Sequence, residues 1–311
     1  MRIKRIVSFL PSATELIFEL GLQDSLFGVT HECRYPEEAQ TKPHVISSLI
    51  DSEKLSSIEI NNQTCQLLNQ GKDIFVLDEE NLKKAKPDLL ITQETCEVCA
   101  AYINQVNKSI QILQKKPLTY SMDPHSLDEI LTSVTEIGKI LDRSKKAEEI
   151  RTEFKKRMSH VKKFSNQSNL RVLAIEWMDP FFTAGHWIPE MIEIAGGINL
   201  ISKKGEHSRK MSFEEIIKSD PDIVIVMPCG FSAKRTIEEY NQILRNDQDW
   251  NNLKAVKNNK IFAVDANSYF SKPSLRIITG LEILAKIIQP EYFVKLGVPN
   301  SSFYNIRSTE A

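Results

Sequence analysis

The sequence predicts an α/β protein of two small lobes with mostly parallel sheets, joined by one long helix. Three observations predict this. Short apolar runs rich in Val and Ile recur, each followed by a helical pattern, as parallel strands covered on both faces require. A stretch nearly free of Gly and Pro separates two such halves. A segment of the first half, residues 84–92, also resembles residues 218–226 of the second.

The elements follow in order. Residues 3–10 read as a buried strand, and Pro11-Ser12-Ala13-Thr14 leads into a helix over 15–20. Ser12 or Thr14 is the expected N-cap and Gly21 the stop. Residues 26–29, 74–77 and 89–92 are further strands, the last after a helix at 82–86. Asp123-Pro124-His125-Ser126 then starts the long helix. Leu127, Ile130, Leu131, Val134, Ile137, Ile140 and Leu141 recur at helical spacing, and a charged stretch continues it to about residue 163, with a break near Asp142-Arg143. In the second half, residues 172–175, 223–227 and 261–264 are strands. The expected divisions are therefore a lobe over 1–125, a connecting helix over 126–165, a lobe over 166–289 and a tail over 290–311.

Composition excludes several classes. Among 311 residues, 40 Lys plus Arg stand against 41 Asp plus Glu, so no net field draws the chain onto nucleic acid or an anionic membrane. No apolar run reaches the ~20 residues of a membrane span. The first residues, Met1-Arg2-Ile3-Lys4-Arg5, superficially resemble a secretion signal, but Pro11 interrupts the apolar run behind them. The cysteine count is five, an odd number that does not suit a disulfide framework. A cytoplasmic monomer is the expectation, extracytoplasmic or membrane-associated only where a leader has been removed.

In both repeated segments a helix ends, Pro-Asp turns the chain, and a buried strand runs to a cysteine-bearing loop (Cys96 or Cys229). Ligands of open α/β sheets sit at such carboxyl ends. Pro-Asp before a strand is equally ordinary punctuation. Five post-strand loops have unusual composition: residues 30–36, 93–99, 176–190, 228–231 and 265–270. Aromatic rings on loops, with His, Cys and carboxylates beside them, suit a large flat ligand.

These stretches resemble the cobalamin-binding substrate-binding proteins of ABC transporters. The likeness is carried by Ser8-Phe9-Leu10-Pro11-Ser12-Ala13-Thr14-Glu15, Gly28-Val29-Thr30-His31-Glu32-Cys33 with Tyr35-Pro36, and Asp179-Pro180-Phe181-Phe182-Thr183-Ala184-Gly185-His186-Trp187. Ala195-Gly196-Gly197, the two Pro-Asp turns and the stretch from Phe270 through Pro273 to Arg276 add to it. The resemblance implies a clamshell that captures a corrinoid without catalysis and delivers it to an ABC permease. Carried over by motif, Tyr35, Phe181, Trp187, Tyr269 and Phe270 would hold the corrin, and Asp265 and Asn267 would meet its amide rim. His186 or His31 would be placed as an axial ligand of cobalt or of a haem iron.

A second reading is a cytoplasmic metal-dependent protein, possibly an enzyme, with His31, Cys33, Cys96, Cys99 and His186 as ligands. Thiolate and imidazole suit zinc or a similar ion, although one Cys-x-x-Cys alone is weak and free Cys is often simply buried. A haem or siderophore binder is the third. His44, His125, His160 and His207 have no such neighbours in sequence and are expected to be structural or exposed.

Overall fold

The computed structural model describes residues 3–93, 103–113, 115–165 and 168–307. It divides into two compact units, residues 1–124 with 128–151, and residues 125–127 with 152–311.

The first unit begins with β1 (Ile6–Ser8), buried throughout, and α1 (Pro11–Glu19). Pro11 sits at the start of α1, where its missing N–H is no loss, and Leu10 is the N-cap. Ser12 and Thr14, expected as caps, are instead buried inside the helix. Gly21 ends it at φ 69° as expected. Then follow β2 (Leu26–Thr30), β3 (His44–Ser48), α2 (Ser57–Asn69), β4 (Phe75–Leu77), α3 (Glu79–Ala85), β5 (Leu89–Gln93), α4 (Ile103–Ile112) and β6 (Leu118–Met122). The sheet order is β4-β3-β2-β1-β5-β6, parallel except at β3–β4. Val7, Phe9, Val45, Ile46, Leu82 and Leu90 form part of the core on this sheet.

Next come α5 (Leu127–Ile140) and α6 (Ser144–Lys162), interrupted where Asp142 adopts φ 57°. The break lies where the sequence predicts it. The boundary between the units falls within α6.

The second unit continues with β7 (Arg171–Met178), β8 (Phe181–Thr183), α7 (Ile188–Ile194), β9 (Ile198–Asn199), α8 (Phe213–Ser219), β10 (Ile223–Val226), α9 (Ala233–Ile243), α10 (Gln248–Asn251), α11 (Lys254–Lys257), β11 (Ile261–Val264), α12 (Ala266–Tyr269), α13 (Ile277–Ile288) and β12 (Phe303–Asn305). Its order is β12-β11-β10-β7-β8, with β9 on β7. β7, β9, β10 and β11 pair in parallel, while β8 and β12 are antiparallel edges. The tail residues 290–311 thus contribute a strand, and Phe293 is buried against Phe164 and His160. Trp250 is wholly buried, its indole N–H donating to the Tyr240 hydroxyl at 3.0 Å.

Arg157 of α6 fastens this unit's end of the helix to α13. Its guanidinium donates twice to the Glu282 carboxylate, at 2.9 and 2.5 Å, and once to the Thr279 hydroxyl at 3.0 Å. The Glu282 side chain is only 9% exposed, so losing its partner strands a charge away from water. Arg157→Ala is expected to cost about 2 kcal/mol in urea unfolding, between the surface and fully buried cases. Adding Glu282→Gln is expected to restore part of that loss.

Candidate functional site

The described candidate loops leave the carboxyl ends of the strands. In the first unit, β2 runs into His31 and Cys33. Cys33 is 1% exposed, its thiol 3.1 Å from the Thr14 hydroxyl and 3.4 Å from that of Thr30. It packs as a small core residue. His31 is half-buried with Nδ1 3.4 Å from the Ile46 carbonyl, and burial holds its pKa below the ordinary value. Tyr35 is exposed. Cys96 and Cys99 lie outside the described residues.

In the second unit, several residues expected at the ligand are committed to their own packing. Trp187 is 4% exposed and its indole N–H donates to the Phe270 carbonyl at 2.9 Å, while Phe270 is itself buried. Phe181 stacks on Trp250 at 5.8 Å between centroids, over the core. Asp265 accepts from the Ser268 N–H as N-cap of α12, and Asn267 accepts from Lys272 Nζ. Tyr269 remains half-buried, 5.9 Å from the Arg276 guanidinium. Trp177, at the end of β7, is half-buried against Phe231.

His186 is drawn into a different group from the expected one. Among the described residues, His125, His186 and His207 form the one group of three or more potential metal-ligating side chains, with ligand atoms all within 4.8 Å of one another. His31 and Cys33 are not in it. Spacing gave no warning, since 61 residues separate His125 from His186. The expectation that His125 and His207 lack partners of this kind is corrected by tertiary packing.

Local chemistry explains the convergence. The chain at residues 184–186 lies against residues 205–208: His186 N–H donates to the Glu206 carbonyl at 2.6 Å, and Gly205 N–H to the His186 carbonyl at 2.9 Å. Only glycine fits at 185, because a Cβ there would meet three backbone atoms of residues 206–208 at 2.5–2.8 Å. Glu176 ties the same two segments, accepting from the Gly185 N–H at 3.3 Å and the Ser208 hydroxyl at 2.6 Å. Glu190 does likewise for His125, accepting from the Leu127 N–H at 3.0 Å and from Lys204 Nζ at 2.5 Å. Two carboxylates brace three histidine-bearing segments.

Comparison with known proteins places the chain. Residues 6–268 match the family described as periplasmic binding protein. The chain belongs to this family. It is 26% identical over 297 residues to the ABC transporter substrate-binding lipoprotein YvrC of Bacillus subtilis, covering 93% of this chain and 81% of that protein. It is 21% identical over 286 residues to a vitamin B12-binding protein of Vibrio cholerae, covering 90% and 87%. A crystal structure of a periplasmic heme-binding protein from Pseudomonas aeruginosa superposes with a TM-score of 0.70 at 16% identity, covering 93% and 94%. YvrC is by its name a lipoprotein, and the expected cytoplasmic location finds no support among these relatives. No helix among the described residues is long and apolar enough to cross a membrane.

Burial raises the Glu176 carboxyl above its ordinary value, against the opposing hydrogen bonds from Ser208 and Gly185. The folded chain therefore keeps a proton that the unfolded chain loses above about pH 4.5, and this group's contribution to stability falls as pH rises through its shifted value. Glu176→Gln keeps an acceptor for both donors and is expected to flatten that decline. Melting temperatures of both proteins between about pH 4.5 and 8 check it.

Proposed function

We propose that the protein captures cobalamin or a related corrinoid and hands it to an ABC-type permease on the outer side of the cytoplasmic membrane. It binds its ligand and does not transform it. The observation that carries this reading is the match to the vitamin B12-binding protein along 90% of the chain. Accessible rings on post-strand loops support it, because flat apolar faces need aromatic contact at low entropic cost. Tyr35 is exposed and Tyr269 half-buried, and both are proposed to present a ring face to the ligand. Phe181, Trp187 and Phe270 support the loops from behind, and Asp265 and Asn267 offer the polar contacts proposed for the corrin's amide rim.

Haem is the second reading. It is favoured by the fold shared with a heme-binding protein and by the half-buried imidazoles His31 and His186, either of which suits an axial position on iron.

Absorbance titrations with cyanocobalamin and with haemin separate the two. Saturable cyanocobalamin binding is expected, and Tyr269→Ala is expected to weaken it about tenfold, the value of one ring contact. Haemin binding without cyanocobalamin binding would replace the corrinoid with haem. Trp187→Ala is a poor probe, because removing that buried ring is expected to cost about 3–5 kcal/mol of stability.

A further inference from the structure

The geometry points to a tripodal metal site in the second unit, in which His125, His186 and His207 bind one borderline divalent ion of the zinc type. This stands apart from the corrinoid reading, since all three ligands belong to one unit and require no bound tetrapyrrole.

The three rings form a nearly equilateral triangle, with centroids 5.4, 5.1 and 5.0 Å apart. Three imidazoles on one tetrahedral ion at 2.0–2.1 Å bond length put their centroids about 5.2 Å apart. The Nδ1 atoms of His125 and His186 lie 3.4 Å apart. Two nitrogens on such an ion are separated by about 3.4 Å as well. The ligand atoms all lie within 4.8 Å of one another, so at most roughly 1.4 Å has to close, a shift of the size a rotation of exposed His207 can supply. The rings are not stacked, since His207 stands at 90° and 88° to the other two, and what brings their nitrogens to one region is the mutual proximity of the ligand atoms.

The surroundings are built to hold this arrangement. His186 adopts φ 54°, the left-handed region where His is tolerated but most side chains are not. That conformation follows Gly185, whose missing Cβ admits the chain bearing His207. Glu176 and Glu190 fix the flanking segments by hydrogen bonds to backbone, Ser208 and Lys204, so neither carboxylate is needed as a ligand. Three imidazoles without thiolate suit zinc, nickel or copper rather than magnesium or calcium. With three protein ligands the fourth position falls to solvent or to a donor atom of a bound molecule, as in open zinc sites.

The test uses the full chain stripped with chelator, free of tetrapyrrole, and titrated calorimetrically with ZnCl2. One equivalent of Zn2+ is expected to bind. His125→Ala and His207→Ala are each expected to weaken binding by at least about tenfold, the loss that even an outer-shell change produces. Both positions lie at least partly in solvent, so the fold is expected to survive, and circular dichroism melting checks it. Replacing zinc with Co2+ is expected to give the intense visible absorption of a four-coordinate ion, lost in His207→Ala. Cys96→Ser with Cys99→Ser is expected to leave binding unchanged. Absence of stoichiometric Zn2+, equal binding by the His125→Ala/His207→Ala double variant, or loss of binding in the cysteine double variant would overturn the assignment. Cyanocobalamin binding is measured separately, so failure of either reading leaves the other standing.

Discussion

Both sheets depend on one interaction, made twice. At the start of β1, Arg5 donates to the Ala85 and Lys84 carbonyls at the end of α3, and the Asp88 carboxylate accepts from the Lys4 and Arg5 backbone N–H groups. At the start of β7, Arg171 donates to the Ser219 carbonyl at the end of α8, and Asp222 accepts from the Arg171 N–H. The helix in each case ends on a left-handed residue, Lys86 at φ 44° or Asp220 at φ 40°. The next strand is thereby locked in one register: Ile6 pairs with Leu89 and Val172 with Ile223, each one residue beyond its Arg–Asp brace. A one-residue slip would exchange the two faces of a strand, so a brace at one end fixes every side chain along it. The repeated Pro-Asp motif does this work. It is punctuation with a mechanism.

A sheet pinned at the amino ends of its strands leaves the carboxyl ends to carry variable loops, which is where ligands bind in open α/β sheets. The second unit exploits this most heavily. Past Ile175, β7 turns through Asp179-Pro180 into β8, and the chain returns against residues 205–208 through Gly185. This apposition cannot be bought with sheet hydrogen bonds alone, because β8 is a three-residue edge. The buried Glu176 carboxylate supplies the rest by accepting from both sides. Its desolvation is the cost of joining two loops whose donors would otherwise lack a buried acceptor.

What was legible in the sequence follows from burial. The strands β1, β2, β5, β10 and β11 are buried along nearly their whole length, so their Val, Ile and Leu runs announce them. β3 and β6 mix exposed with buried positions and, like the short β9 and β12, receive no assignment from the pattern, while the three-residue β8 lies inside a stretch expected as a loop. α2 has one buried residue and no apolar stripe. Its signal was the capping box of Ser56 and Glu59, which periodicity does not register. The histidine triangle was invisible for another reason. Its members come from a helix start, a strand-to-helix loop and a polar loop, and only the tertiary contacts of Gly185, Glu176 and Glu190 unite them.

The aromatic residues carry the same lesson in reverse. Phe181 and Trp187 sit in the stretch most characteristic of the family likeness, yet the Trp187 indole is sealed against the Phe270 carbonyl and Phe181 lies over Trp250. A loop that must hold a shape without a ligand needs its own core, and large rings provide it with few rotamers to lose. Rings that make the loop are then distinct from rings that the loop presents. Motif alone does not separate these roles, because both demand Phe, Tyr or Trp at fixed positions. Exposure does: Tyr35 and Tyr269 retain accessible faces, whereas Trp187 and Phe270 have exchanged theirs for stability. The same division runs through the histidines by burial, since the His186 backbone is hydrogen-bonded on both sides and its side chain is half-buried, whereas His207 is exposed.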